Sequence, residues 1–369
     1  MAARFPNSAA LLREQIGAAH AVNDSERVRA GLSRLAELGY APNEETIALL
    51  AGHLSERDMA ALRLRFDANR TIVQSSRLFA TVPAGGRLIE GIAWDPRRDR
   101  LFASSVVGRE LLYGDGRSWR AVPGLQVGSL FGLAIDDHRR LLWMASGVLD
   151  QTPSPESAFR GLIALDLDSL RVVHRLPIEG EGSPADIAIG HEGTVYASDP
   201  QRGTIYRVGV GDSAVSIVVP PGRLRNPQGL VPSLDRRRLY VSDYGHGIAV
   251  VDLNDGSVTR LESDVGTMLD GVDGLAPWQD GLIAVQNGTN PRRILHLSLA
   301  EDGRRITAMR ILESSHPDWG EPTLGFVRGD EFIYVADAQW ERYGTGGAVV
   351  GDGPTRPTAI RELRLPNSR

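Results

Sequence analysis

The sequence has no cysteine and no lysine: all 41 of its basic residues are arginine. Each absence removes a set of chemistries. Without cysteine there is no thiol nucleophile, disulfide, iron–sulfur cluster or thiolate zinc site. Without lysine there is no Schiff-base enzyme and no phosphate-binding loop ending in Gly-Lys-Ser/Thr. Long apolar runs are missing as well; none approaches the roughly 18–20 residues that cross a bilayer as a helix. Neither G-x-S-x-G nor H-E-x-x-H occurs, which sets serine-hydrolase and zincin readings aside. Charge imbalance is small, 41 basic against 46 acidic residues for a net −5. Nucleic acid and anionic membranes are therefore not expected as partners. The one run of three cations, Arg236-Arg237-Arg238, reads as a solvated turn. A polar mechanism must draw on Asp, Glu, His, Ser, Thr, Tyr, Arg, amides or a bound metal.

What is present divides into two textures. The 369 residues, 42% hydrophobic and 24% charged, suit a large globular domain with a small companion. Residues 1–70 carry apolar residues at helical spacings bounded by cap residues. Ser8 precedes Leu11, Leu12 and Ile16, and Ser25 precedes Val28, Leu32, Leu35 and Leu38. Asn43 opens a segment with Ile47, Leu49 and Leu50, and Ser55 opens one with Met59, Leu62 and Leu64. Four short helices fit two helical hairpins that resemble a degenerate tetratricopeptide unit. Too few repeats are present for a free-standing solenoid, so the segment is expected to pack on the rest of the chain, as a cap or as a peptide groove.

From residue 71 to 369 short β-rich runs replace helical spacing. A motif recurs: two apolar residues after a Gly-like position, a turn, then an alternating strand closing in Ser or Asp. Its copies centre on Glu90-Gly91, Phe131-Gly132, Ala185-Asp186, Gln228-Gly229, Asp273-Gly274 and Thr323-Leu324, roughly 41 to 54 residues apart. Six copies of about four strands imply a mainly β fold, a six-bladed β-propeller preceded by a small α-helical segment. The stretch Ile72 to Val82 can supply the outer strand of the last blade, whose third strand is Ala359 to Leu365. That pairing would tie the two ends of the propeller together.

The first strand of each blade lines a propeller's channel, so equivalent residues form a ring at one mouth. The ring reads Glu90, Phe131, Ala185, Gln228, Asp273 and Thr323. Carboxylates and an amide from three blades could converge on a hard cation such as calcium, which takes about six to eight oxygens. Equally, they could simply hydrate the channel. Ser242-Asp243-Tyr244-Gly245-His246 puts His246 in a loop at the same mouth, a candidate for general acid/base work. Asn287, Asp337 and Trp340 follow second strands in the same way. The Ser- and Pro-rich loop from Gly147 to Arg160 is long enough for a lid, or for a disordered surface loop.

Ile89-Glu90-Gly91, Pro227-Gln228-Gly229-Leu230 and Val272-Asp273-Gly274-Leu275 resemble the senescence marker protein/gluconolactonase superfamily, which includes paraoxonase-like and strictosidine-synthase-like propellers. The resemblance covers about residues 72–365. It implies hydrolysis of a lactone or ester by a channel calcium ion, or another divalent cation, held by Glu90, Gln228 and Asp273. His246 or Asp186 would move protons, and Phe131, Asn287, Thr323, Asp337 and Trp340 would meet a small-molecule substrate. No organic cofactor is implied. Ala185 stands where such sites usually carry an Asn ligand. Asp186, one residue on, is the available substitute, but strand alternation points it the other way. Metal-free members use an acidic base, so a lyase, cyclase or condensing enzyme is a second reading. A non-catalytic ligand- or protein-binding propeller is a third. Ala284-Val285-Gln286-Asn287-Gly288 and Glu321-Pro322-Thr323-Leu324-Gly325 resemble bacterial members with a helical N-terminal segment, usually exported; periplasmic location follows by resemblance, with a signal absent or removed, and cytoplasmic location otherwise. A monomer is the default expectation.

Overall fold

Four helices precede the first strand in the computed structural model, which describes residue 5 and residues 7–366. They are α1 (Ala9–Ala21), α2 (Ser25–Glu37), α3 (Glu44–Leu50) and α4 (Glu56–Asn69). Ser8, Asn43 and Ser55 cap α1, α3 and α4, each accepting a backbone N–H three residues on, at 3.2, 2.9 and 3.1 Å. At α2 the cap is Asp24 instead, accepting from the Arg27 N–H at 3.1 Å, and Ser25 is the first helical residue. Both can supply the side-chain oxygen an N-cap needs, so spacing alone did not separate them. Ile16, Val28, Leu32, Leu35, Ile47, Leu50, Leu62 and Phe66 form one apolar cluster. Met268, from the propeller, completes it. Among the described residues no helix is long and apolar enough to cross a membrane.

Polar contacts fix the segment on the fifth blade. The Asp270 carboxylate, 6% exposed, accepts the Ala9 and Ala10 N–H groups at 3.1 and 2.7 Å and the Ser8 hydroxyl at 3.4 Å. It therefore satisfies the donors that every helix N-terminus leaves free. Ala41 and Asn290 exchange two further bonds, Ala41 N–H to the Asn290 carbonyl at 2.8 Å and the Asn290 amide to the Ala41 carbonyl at 2.6 Å. Asp270→Ala should destabilise this docking by about 2 kcal/mol, the usual scale for a lost charged cap. Hydrogen exchange should quicken across Ala9–Ala21 while Val195–Asp199 in the third blade stays protected. An unchanged pattern would show α1 to be held by its apolar face alone.

The remainder forms six sheets. Five have four strands; the fifth blade gains Glu262–Ser263, paired parallel to Arg305–Ser314. Ser76–Val82 pairs antiparallel with Thr358–Arg364, which in turn pairs with Glu331–Val335. The first strand of the sequence thus becomes the outer strand of the last blade, which joins the two ends of the propeller in one sheet.

The repeated Gly-like position has a physical cause. In blades 1, 2, 4 and 5 the inner strand shifts register there, between Ile89 and Ile92, Leu130 and Leu133, Pro227 and Leu230, and Val272 and Leu275. These bulges bring neighbouring blades almost into backbone contact. A Cβ on Gly91, Gly229 or Gly274 would lie 2.5–2.7 Å from the next blade's backbone. Only glycine fits. The recurrent strand-ending Ser braces the same bulge: Ser104 Oγ accepts from Gly91 N–H at 2.9 Å, and Ser242 Oγ donates to the Asp273 carbonyl at 3.0 Å.

Candidate functional site

The bulges also decide what faces the channel. Glu90, Phe131, Ala185, Gln228 and Asp273, from five blades, line one cavity of about 270 Å³. That is just under the usual range of small-ligand pockets, about 300–1,000 Å³. Thr323 holds the sixth ring position but does not reach the cavity. It is fully buried, and its hydroxyl donates to the Glu90 carbonyl at 2.9 Å. Leu324 lines the wall in its place.

Asp186 departs from the alternation expected of a strand. Ala185 N–H bonds to the Ser198 carbonyl and Ser198 N–H to the Asp186 carbonyl, so both residues oppose Ser198. Two consecutive side chains therefore reach the channel side. Asp186 occupies the glycine place of its blade, and it has room because Gly132 lacks a side chain: a Cβ there would lie 2.4 Å from Asp186 Oδ1. The carboxylate accepts the N–H of Ile187 at 2.8 Å.

Asp273 is oriented by a chain of polar groups. Tyr244 donates its hydroxyl to Asn287 Oδ1 at 2.9 Å, and Asn287 Nδ2 donates to Asp273 Oδ2 at 2.7 Å and to the Pro322 carbonyl at 2.9 Å. Trp340 Nε1 donates to Glu90 Oε2 at 2.8 Å. Glu321 adds a fourth carboxyl group to the walls of the well, and no Arg or His lines it among the described residues. The result is four acids around one small well, with Arg292, outside its lining, the positive charge felt at Glu321. Burial raises Glu90 well above its ordinary value, helped by repulsion from Asp273. Burial, then repulsion from Glu321, pushes Asp273 up to about 7. Burial alone lifts Asp186 to about 7, and Glu321 is raised for the same reason. Carboxyl groups held partly protonated at neutrality are suited to proton transfer.

Other expected site residues lie apart. His246 packs edge-on against Phe5, ring centroids 4.9 Å apart, in a separate crevice with Arg260 and Asp270. Proton transfer in the channel is therefore not within its reach. Asp337 stands outside the cavity, paired with Arg356 at 2.8 Å. The loop from 147 to 160 is neither free flap nor disordered. Arg109 donates to the Pro153 carbonyl at 2.7 Å, Thr152 bonds the Ser129 hydroxyl at 2.9 Å, and Thr345 donates to Asp150 at 2.9 Å. Its Leu149 is a fixed part of the wall. Glu321 and Tyr244 were not singled out from the sequence, although both adjoin motif residues.

The arrangement does not match a calcium site. Gln228 turns its Nε2 to Asn226 Oδ1 at 2.6 Å, Glu90 Oε2 is taken by an indole N–H, and Asp273 Oδ2 by an amide N–H. Among the described residues no three carboxylate or imidazole side chains converge as a metal-holding group.

No family model matches the chain, and no curated protein matches it. Solved structures are similar to it in fold. The PQQ-bound aldose sugar dehydrogenase of Streptomyces coelicolor is 18% identical over 80% of this chain and 99% of its own, with a TM-score of 0.51. A glucose-dehydrogenase-type oxidoreductase of Thermus thermophilus is 17% identical over 78% of this chain and 100% of its own, with a TM-score of 0.53. A gluconolactonase of Xanthomonas campestris is 18% identical over 80% of this chain and 100% of its own, with a TM-score of 0.51. The class is thus a β-propeller, with the fold shared by gluconolactonase and aldose sugar dehydrogenases. At such identities the likeness carries the fold and leaves the chemistry to the site.

Proposed function

We propose that the protein hydrolyses a small lactone or ester in the channel, using paired carboxyl groups rather than a metal. The observation that carries this reading is the well itself: Glu90, Asp186, Asp273 and Glu321 around one small cavity, with an indole N–H instead of a cation against Glu90. At neutral pH the Glu90–Asp273 pair holds protons as a unit, because burial and repulsion among the acids raise both. Glu90, its Oε2 fixed by Trp340, donates the hydrogen bond from its carboxylic acid to the substrate carbonyl oxygen. Asp273, fixed by Asn287, takes a proton from water as the water oxygen attacks the carbonyl carbon. The acyl C–O bond then breaks, and Asp273 returns its proton to the departing oxygen. The product is a hydroxy acid from a lactone, or an acid and an alcohol from an ester.

Purified protein offered a panel of small lactones and aryl esters should release acid, and excess chelator should change neither the rate nor the melting temperature. No turnover across the panel would defeat the hydrolase reading. Activity lost to chelator and restored by calcium would favour the second reading, a divalent cation at Glu90, Gln228 and Asp273. What speaks for that reading is the unneutralised acidity of the well. What speaks against it is that one oxygen of Glu90 and one of Asp273 already accept from N–H donors, and Ala185 offers no ligand.

A further inference from the structure

A second cavity, about 1,020 Å³, lies between the helical segment and the blade 5 and 6 loops, and Asn287 lines both it and the catalytic well. Its helical wall combines one face of α1, with Ala10, Arg13, Glu14, Gly17 and His20 at spacings of three and four, and residues of α2 and α3 such as Leu32, Leu35 and Leu50. Gly17 has nothing within 4 Å of where a side chain would begin, which leaves this wall open. Across the groove stand Arg292 and Trp319. The charge is opposite to that of the well. Arg13 and Arg292 both line the groove, and among the described residues neither is paired with a carboxylate; Glu14 is the one acid in the lining. Arg13 lies over the Tyr40 ring, 5.7 Å from its centroid. Arg292 donates to the Gly320 carbonyl, and its positive field reaches Glu321 and Tyr244 in the well, so it stands at the threshold between the two cavities.

We infer that this groove is the subsite for an anionic tail. The substrate is bipartite: a neutral lactone or ester head enters the acidic well, which repels anions, and a carboxylate or phosphate at the far end is held by Arg13 and Arg292. The chemistry of the head rests on the proposed hydrolysis; the tail site does not. The helical segment thereby contributes directly to substrate recognition. Arginine suits the task because its fixed fork of donors matches a carboxylate or phosphate in two bonds.

Calorimetry with monomethyl adipate tests this, with dimethyl adipate as the uncharged control. The monoester should bind and the diester should bind at least about tenfold more weakly, the scale of one charged hydrogen bond. Raising the salt from low to about 0.5 M should erase the difference, since exposed charges are then screened. Arg13→Gln and Arg292→Gln should each weaken the monoester about tenfold and leave the diester unchanged. Glu14→Gln should act in the opposite direction and tighten it. Equal binding of the two esters, or arginine variants that bind the monoester normally, would overturn the subsite. Tight, salt-sensitive binding without hydrolysis of any panel compound would uphold it while refuting the reaction proposed for the well.

Discussion

Asp273→Asn should lower kcat/KM of the proposed lactone or ester hydrolysis by about a thousand-fold, within the range of 10² to 10⁴ usual for loss of a positioned general base. Asparagine keeps an oxygen for the Asn287 amide, so the well should hold its shape and KM should change little. If Asp186→Asn were instead the inactive variant, the base would be Asp186, which burial also holds at about 7. Wild-type kcat/KM should rise with pH through about 7 as Asp273 ionises. It should fall again at higher pH, when Glu90 gives up the proton it must donate. A pH-independent rate from 5 to 9 would rule out this assignment.

The same substitution should stabilise the fold in alkali. Asp273 has an ordinary value of 3.8 and a folded value of about 7. Between these the folded state binds more protons than the unfolded chain, so the wild type loses stability as pH rises from about 4 through 7. Asn removes that loss. The variant should melt higher than wild type at pH 8, and the difference should vanish near pH 4. A site that is strained by its own charge and relaxed by an inactivating change is the expected signature of function held against stability.

How much of this was legible in the sequence depended on whether local rules governed the position. The Glu90-Gly91 and Asp273-Gly274 repeats could be read because each blade meets the same constraint, a bulge too tight for a side chain. The pairing of the Ile72–Val82 region with the C-terminal strand followed from the count of strands, and the structure makes it with Ser76–Val82. Asp186 was mis-aimed because period-two alternation fails at a bulge, and nothing in Ala185-Asp186 marks one without its Ser198 partner. Glu321 was missed because Pro322 and the loop before it blur the sixth repeat. His246 sits in the right loop by spacing, yet it faces the crevice beside α1, a direction set by how the helical segment docks. That docking depends on Asp270 and Asn290 meeting residues about 250 or more positions away, which helical periodicity cannot reveal.

Glu313→Ala should strongly damage stability, by about 3 kcal/mol, because it strands the buried Tyr334 hydroxyl together with the half-buried donors of Ser75 and Ser76. Glu313 is fully buried at the end of Arg305–Ser314 in the fifth blade. Its Oε1 accepts the Ser75 and Ser76 N–H groups at 3.1 and 2.9 Å and the Ser76 hydroxyl at 2.8 Å. Its Oε2 accepts the Tyr334 hydroxyl at 2.6 Å. Burial and the adjoining carboxylate raise the Tyr334 pKa, which keeps that phenol a donor. Arg361, also buried, adds its Nε to the Ser76 hydroxyl at 2.8 Å. One carboxylate therefore pins the start of the closing strand to two blades at the point where the propeller is joined without a covalent bond. Glu313→Gln keeps an oxygen for the Ser75 and Ser76 groups and loses mainly the Tyr334 contact, so it should cost about 1–2 kcal/mol. Chemical denaturation should rank wild type above Gln above Ala. Hydrogen exchange in the Ala variant should quicken first across Ser76–Val82 and Thr358–Arg364, because a propeller opens where its ring is weakest. Equal stability of the three proteins, or opening that begins in a middle blade, would mean that the backbone pairing of the two strands closes the ring without this carboxylate.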